Sequence, residues 1–199
     1  MKQLVKHIKS LSMALKDLEG HILNGEQLQT GRLFESVGLL PREVLANWLL
    51  CAVLNFTGNT DRFTFTSSPS EGDGRIYDAE SKDTHLTEHT MIPKQEGASD
   101  ALILEAIEKK IKKGGAAYAA GKTLVVFINA SFRWFPNRVA RQLPENLHFN
   151  DVWVVSRRDT EDSEHVYIVT SLDLSEGDAP VWLVRIKNDF NSWQVERFQ

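Results

Sequence analysis

The chain holds one cysteine, Cys51, so no internal disulfide can form and a small disulfide-stapled scaffold is excluded. Cys51 lies in LLCAVL, an apolar helical run where a thiol behaves as a small hydrophobe. A reactive thiol needs an electropositive, partly exposed setting, so Cys51 is read as core and not as a nucleophile. No apolar run approaches the roughly 18 residues that cross a bilayer. The most apolar stretch, VLANWLLCAVLNF, is short and carries two asparagines. The opening residues lack both an uninterrupted apolar core and a small-residue cleavage site, and read as a mature amphipathic helix instead of an export signal. The expectation is a soluble, cytoplasmic protein with no membrane partner. A basic excess is also missing. Lys and Arg total 23 against 27 Asp and Glu, a net charge of −4, which argues against coating nucleic acid through a uniformly basic surface. It leaves open an enzyme that holds a divalent cation between carboxylates, because net charge does not report clustering. There is no nucleophile elbow and no dinucleotide fingerprint, and GGAAYAAGK lacks the spacing of a phosphate loop.

What the chain does have is enough apolar residue, 42% of 199, to bury one continuous core, so a single domain spanning 1–199 is expected. Leu4, Ile8, Leu11, Leu15, Leu18 and Ile22 recur at helical spacing, giving a first helix to about Leu23. Pro41 opens a second, Pro41 to Phe56, apolar on most sides and therefore central. From Arg62 the period changes to alternation in FTFTSS, GRIYDAES and HLTEHTMIP, three successive antiparallel strands. Ser99 and Asp100 then offer an N-cap for ALILEAIEKKIKK, a third helix closed by Gly114 and Gly115. TLVVFINA is a strand buried on both faces, and DVWVVSRR, HVYIVTSL, VWLVRI and WQVERF read as further strands.

Two acids stand out. Asp78 ends GRIYD, and Glu88 lies in the next strand, where period two sets Leu86, Glu88, Thr90 and Ile92 on one face. A carboxylate interleaved with apolar residues needs a cation or a hydrogen-bonding partner, because an isolated buried charge is very costly. Carboxylates on neighbouring strands can converge on Mg²⁺, which could activate a water, with a lysine to stabilise charge on a scissile phosphate. Two readings stand for each acid. Asp78 could instead start a turn, and Glu88 could pair with Lys110 as an ordinary ion pair. His85 and His89 alternate with Glu88 and are read as solvent-facing. KKIKK, Lys109 to Lys113, reads as a solvated helix face. The stretch Phe132 to Arg138, FRWFPNR, could grip nucleic acid with its aromatics and arginines, or anchor its rings in the core.

With a helix, three antiparallel strands, a helix and a strand, and with Asp78 and Glu88 on the second and third strands, residues Pro41 to Ser156 resemble the PD-(D/E)XK restriction-endonuclease-like superfamily. The resemblance implies a three-layer α/β core, a mixed central sheet flanked by helices. The expected organisation is an N-terminal helical extension over 1–40, a nuclease-like core over 41–156 and additional strands over 157–199. It implies Asp78 and Glu88 as Mg²⁺ ligands and nucleic acid as substrate. The family's E-x-K reads here as Glu88-His89-Thr90, without its lysine. Some members carry that lysine on the following helix, where Lys110 falls in the apolar stripe with Ile103, Ala106 and Ile107, ahead of Lys109 as a candidate. An acid on the preceding helix matches Glu43, with Glu35 as the alternative. The expected function is metal-dependent phosphodiester hydrolysis with Asp78, Glu88 and Lys110 as catalytic residues; the alternative is an inactive domain that binds protein or nucleic acid.

Overall fold

In the computed structural model of the chain, residues 10–29, 32–33, 38–66, 72–93, 100–128, 133–158 and 164–199 are described. Leu11, Leu15, Leu18 and Ile22 are buried along one side of α1 (Leu11–Leu23), which starts where the Ser10 hydroxyl accepts the Met13 amide. The expected start of this helix at Leu4 lies outside the described residues. Pro41 occupies the first turn of α2 (Pro41–Thr57), where its missing N–H has no partner to lose. This helix has no polar face along most of its length, and Val44 through Val53 are all buried. Cys51 is among them, and burial pushes its thiol pKa up, away from reactivity. No helix among the described residues is long and apolar enough to cross a membrane.

The strands follow as β1 (Phe63–Thr66), β2 (Gly74–Asp78), β3 (Thr84–Ile92), β4 (Lys122–Ile128), β5 (Asp151–Arg158), β6 (His165–Ser171), β7 (Val181–Ile186) and β8 (Trp193–Arg197). Helix α3 (Asp100–Ala119) joins β3 to β4, and the short α4 (Pro136–Ala140) lies between β4 and β5. All eight strands form one sheet in sequence order. The tight connections make β1 to β3 and β5 to β8 antiparallel, and the two longer crossovers make β3, β4 and β5 parallel. Gly114 and Gly115 interrupt α3 where its stop was expected: Gly115 is non-helical, with the φ of 65° that suits glycine, and a second short helical segment follows it to Ala119.

The expected three-layer restriction-endonuclease-like core is not what forms. The chain makes an eight-stranded, curled mixed sheet, a half-barrel in which strands predominate and helices are few. The strands expected to append to a core at 157–199 instead hydrogen-bond directly onto β5, which itself runs across the expected boundary at 156. Strand twist accumulates over such a width and curls the sheet. Helix α2 packs in the concavity and touches β1, β2, β4, β6, β7 and β8, which a flat sheet of this width would not allow. One apolar cluster fills that side, built on Trp48, Phe65, Phe127 and Tyr167; a second joins α3 and α4 to the other side through Ile103, Ile107, Leu124 and Val154.

Helix α2 comes close to the sheet at Gly74. A Cβ there would meet Asn47 Nδ2 at 2.2 Å and Thr87 Oγ1 at 2.9 Å, and the backbone has φ 152°. Overlap and unfavourable backbone add, so Gly74→Ala should lower unfolding free energy by about 2 kcal/mol or more. Urea denaturation measures this; a loss below about 0.5 kcal/mol, the usual range for a neutral surface change, would contradict the packing described.

Candidate functional site

Strand β3 is longer than its partner. Gly74, the first residue of β2, pairs with Thr87, and beyond it, among the described residues, Glu88 to Ile92 pair with β4 alone. Asp73 sits in the fork where β2 leaves the sheet. Its backbone N–H donates to Thr87 O at 2.9 Å, and its Oδ2 accepts the His89 amide at 2.8 Å. Its side chain thus satisfies a backbone donor that the ladder has released.

Glu88 faces α3, on the side where Ile92 packs with Ile103 and Ile107, and is 4% exposed. Lys110 reaches it from α3: its Nζ donates to Glu88 Oε1 at 2.6 Å and lies 3.9 Å from Asp73 Oδ2. Lys110 thereby joins carboxylates from either side of the fork. Lys122, at the start of β4, has its Nζ 3.9 Å from Glu88 Oε2 and 4.1 Å from the centre of the Tyr118 ring. Burial, together with the nearby Glu88 charge, raises the Tyr118 phenol pKa and keeps it protonated.

The opposite wall comes from α2. Glu43 is in its first turn, where Oε2 accepts the Leu40 amide at 2.9 Å and Oε1 is 4.0 Å from Arg42 Nη2. Burial raises the Glu43 pKa to about 7, with the negative charge of Asp73 adding to the rise. One turn on, Asn47 accepts the Thr87 hydroxyl at 2.9 Å and donates to Asp73 O at 3.4 Å. Thr87 and His89 therefore face α2, and the expectation that His89 meets solvent is corrected. Alternation does put it opposite Glu88, but both faces of β3 are covered here. His89 is 5% exposed, with Nε2 3.3 Å from both Asn47 Oδ1 and Thr87 Oγ1. Burial lowers its pKa to about 3, so the ring is neutral at ordinary pH. His85 is exposed, as expected.

Of the expected site residues, Glu88 and Lys110 meet; Asp78 does not join them. The Asp78 amide donates to Asp83 O at the closed end of the β2–β3 hairpin, five residues along β3 from Glu88, roughly 16 Å away at strand rise. Its carboxylate accepts the Glu80 and Ser81 amides and lies 3.3 Å from Arg62 Nε. These are the bonds of a turn-forming aspartate. The acid that faces Glu88 is Asp73, in the sequence Gly72-Asp73-Gly74. Its glycine neighbours read as a turn, but it stands at the end of β2 that pairs with Thr87, and that register is the signal. Lys109 pairs with Glu105 at 2.7 Å on the exposed side of α3, as Lys112 does with Glu108 at 2.9 Å, so this lysine-rich face is solvated. Glu43 borders the cluster, and Glu35 lies outside the described residues.

The arrangement can neutralise negative charge with Lys110 and Lys122, and can bind a cation through Asp73 and Glu88. Among the described residues no three His, Cys, Asp or Glu side chains form a ready-made metal cage. Two carboxylates still fit Mg²⁺, which commonly takes one or two and fills its octahedron with water and phosphate oxygens. Comparison with protein-family models, with curated proteins and with solved structures found no match to this chain.

The Glu43 shift has a definite pH signature. The side chain ionises near its ordinary 4.5 when unfolded and near 7 when folded. Between those values the folded state holds a proton the unfolded state has released. Stability from this group therefore falls as pH rises through the interval, and the penalty is complete above about 7. Glu43→Gln keeps the acceptor for Leu40 and removes the penalty. Relative to wild type it should gain up to about 3 kcal/mol at pH 8 and little at pH 4. Denaturation across pH measures the difference, and a constant gap would contradict the assignment.

Proposed function

We propose that the protein hydrolyses phosphodiester bonds of nucleic acid with a divalent cation held by Asp73 and Glu88, and that Lys110 supplies the charge the phosphate needs. The carrying observation is the fork: one lysine ammonium touches Glu88 and approaches Asp73, two carboxylates from different strands. The resemblance to PD-(D/E)XK proteins then rests on these residues, with Asp73 in the role first read for Asp78, and not on the overall architecture. Mg²⁺ bound there would polarise the phosphate and make a nucleophile of a bound water. Lys110 provides a fixed ammonium beside the place where charge develops on the phosphate oxygens, and its partial burial strengthens the attraction. Glu43, with its pKa near 7, is suited to exchange a proton at neutral pH. The same proton opposes a cation at low pH, so cation binding should tighten from pH 6 to pH 8. The protein is taken to act in the cytoplasm, where Cys51 stays reduced.

A second reading, a binding domain without catalysis, is favoured by the 2.6 Å contact that already occupies Glu88 with Lys110. Cleavage assays on single- and double-stranded DNA and RNA with Mg²⁺ or Mn²⁺ separate the two. Lys110→Met, Glu88→Gln and Asp73→Asn should each lower the rate by about a hundredfold or more, whereas folded Asp78→Asn should cut like wild type. Absence of cleavage by folded protein that binds the cation in calorimetry would overturn catalysis in favour of the binding reading. Asp78→Asn as damaging as Asp73→Asn would overturn the residue assignment.

A further inference from the structure

Arg133 and Trp134 of the RWFPNR stretch remain without a role at the carboxylate cluster, and with Pro136 they border a second cavity. It lies on β5, β6 and β7, on the side of the sheet that carries α3 and α4, and has a volume of about 270 Å³. Its floor follows from the strand register. Ser156, Ile168 and Leu183 are cross-strand partners in one row, and Thr170 pairs with Val181 in the next row on the same face. Helix α3 covers β3 and β4 and leaves this part of the sheet to the segment around α4.

That segment is tied down at its base. Asp100 accepts the Phe135 amide at 3.1 Å and pairs with Arg138, while Asn137 donates to Asp178 at 2.6 Å and accepts the Ala179 amide at 2.7 Å. Trp134 and Arg133 are held on the cavity's border by these bonds. Phe198, 70% exposed, borders it too, and Arg158 extends from the end of β5. Among the described residues neither Arg133 nor Arg158 has an ion pair with a carboxylate. Among the described residues, the cavity thus presents arginines without a carboxylate partner, on a chain whose net charge is −4.

One polar atom inside is orphaned. Thr170 is fully buried, lines the cavity, and its Oγ1 has no hydrogen-bond partner. An unsatisfied buried hydroxyl is costly, and here it borders a space large enough for a ligand group to meet it. A largely apolar floor, the aromatic side chains of Trp134 and Phe198, Arg133 and Arg158, and the hydroxyls of Ser156 and Thr170 together fit a planar heterocycle that carries phosphate. A volume just below the usual range of small-molecule sites, about 300–1,000 Å³, fits one nucleotide better than a larger cofactor. By contrast, the larger cavity of about 690 Å³ between α1, α2, β1 and β8 is lined by Asp61 and, among the described residues, by no lysine or arginine.

We propose that this cavity binds a single nucleotide, free or within a strand. The base rests on Ile168 and Leu183 beside Trp134 and Phe198, the phosphate meets Arg133 and Arg158, and Thr170 hydrogen-bonds the base edge. The inference does not depend on hydrolysis at Glu88 and is tested without divalent cations, so the two can fail separately.

Calorimetric titration of the full chain in EDTA, with adenosine and uridine monophosphates, adenosine, inorganic phosphate and a short single-stranded oligonucleotide, supplies the test. A monophosphate or the oligonucleotide should bind saturably in the micromolar to millimolar range, and more tightly than adenosine or phosphate. Trp134→Ala and Arg158→Ala should each weaken binding about tenfold. Thr170→Val, nearly isosteric, should weaken it several-fold without lowering the melting temperature. Tighter binding of the oligonucleotide, with the same sensitivity to these variants, identifies a strand as the source; equal affinity identifies the free nucleotide. No saturable binding, phosphate binding as tightly as a monophosphate, or affinity unchanged by Trp134→Ala and Arg158→Ala would overturn the proposal.

Discussion

Glu88 stands in the middle of β3 at 4% exposure, on a face otherwise packed with aliphatic side chains, and an ionised carboxylate in such a place costs several kcal/mol unless a cation meets it. Lys110 meets it at 2.6 Å, and most of the local structure is arranged so that it can. The stripe of Ile103, Ala106, Ile107 and Ile111 sets the rotation of α3 on the sheet. Lys110, three residues after Ile107, then projects along that face toward β3 and not into solvent beside Lys109. Lys122 adds a second cation from the strand that follows α3. The helix is thus held both by apolar contact and by charge, and removal of either lysine would leave Glu88 under-compensated.

The fork between β2 and β3 gives the cluster its second carboxylate. Because β3 continues after β2 has departed, the Asp73 side chain takes over the His89 amide and lies within reach of Lys110. Asn47 completes the fork from α2 by bonding both Thr87 and the Asp73 backbone, in the space left by the missing side chain of Gly74. The curl of the sheet matters here. Wrapped around α2, it brings the first turn of that helix, with Glu43, to the same end of β2. Burial and the Asp73 charge then keep a proton on Glu43 that an exposed glutamate would lose.

Local pattern was legible in the sequence wherever one face of an element decides its position. The alternation of FTFT, GRIYD and THLTEHTMI, and the apolar runs of β4 to β7, gave the strands, and the stripe of α3 led to Lys110 as the partner of Glu88. What depended on pairing between distant segments was not legible. The three strands after β5 read as an appendix because nothing in their composition says that they continue one sheet, and the resulting curl replaced the expected layered core. Asp78 was singled out because it closes an alternating strand, and Asp73 did not enter that reading, because hairpin register decides which end of β2 lies beside Glu88. His89 was misread because alternation reports opposite faces and not which face is covered, and the cover is Asn47, more than forty residues earlier in the chain.

The central claim is that Glu88 and Lys110 act as one coupled unit, not as two charges that happen to be near each other. A double-mutant cycle measures that coupling directly, from the unfolding free energies of wild type, Glu88→Gln, Lys110→Met and the double variant. Coupling of about 1.5 kcal/mol or more is expected for a contact at this depth, with each single variant leaving an unmatched buried polar group and the double variant recovering part of the loss. Additivity within about 0.5 kcal/mol would mean that the two side chains do not depend on each other, and would contradict the account.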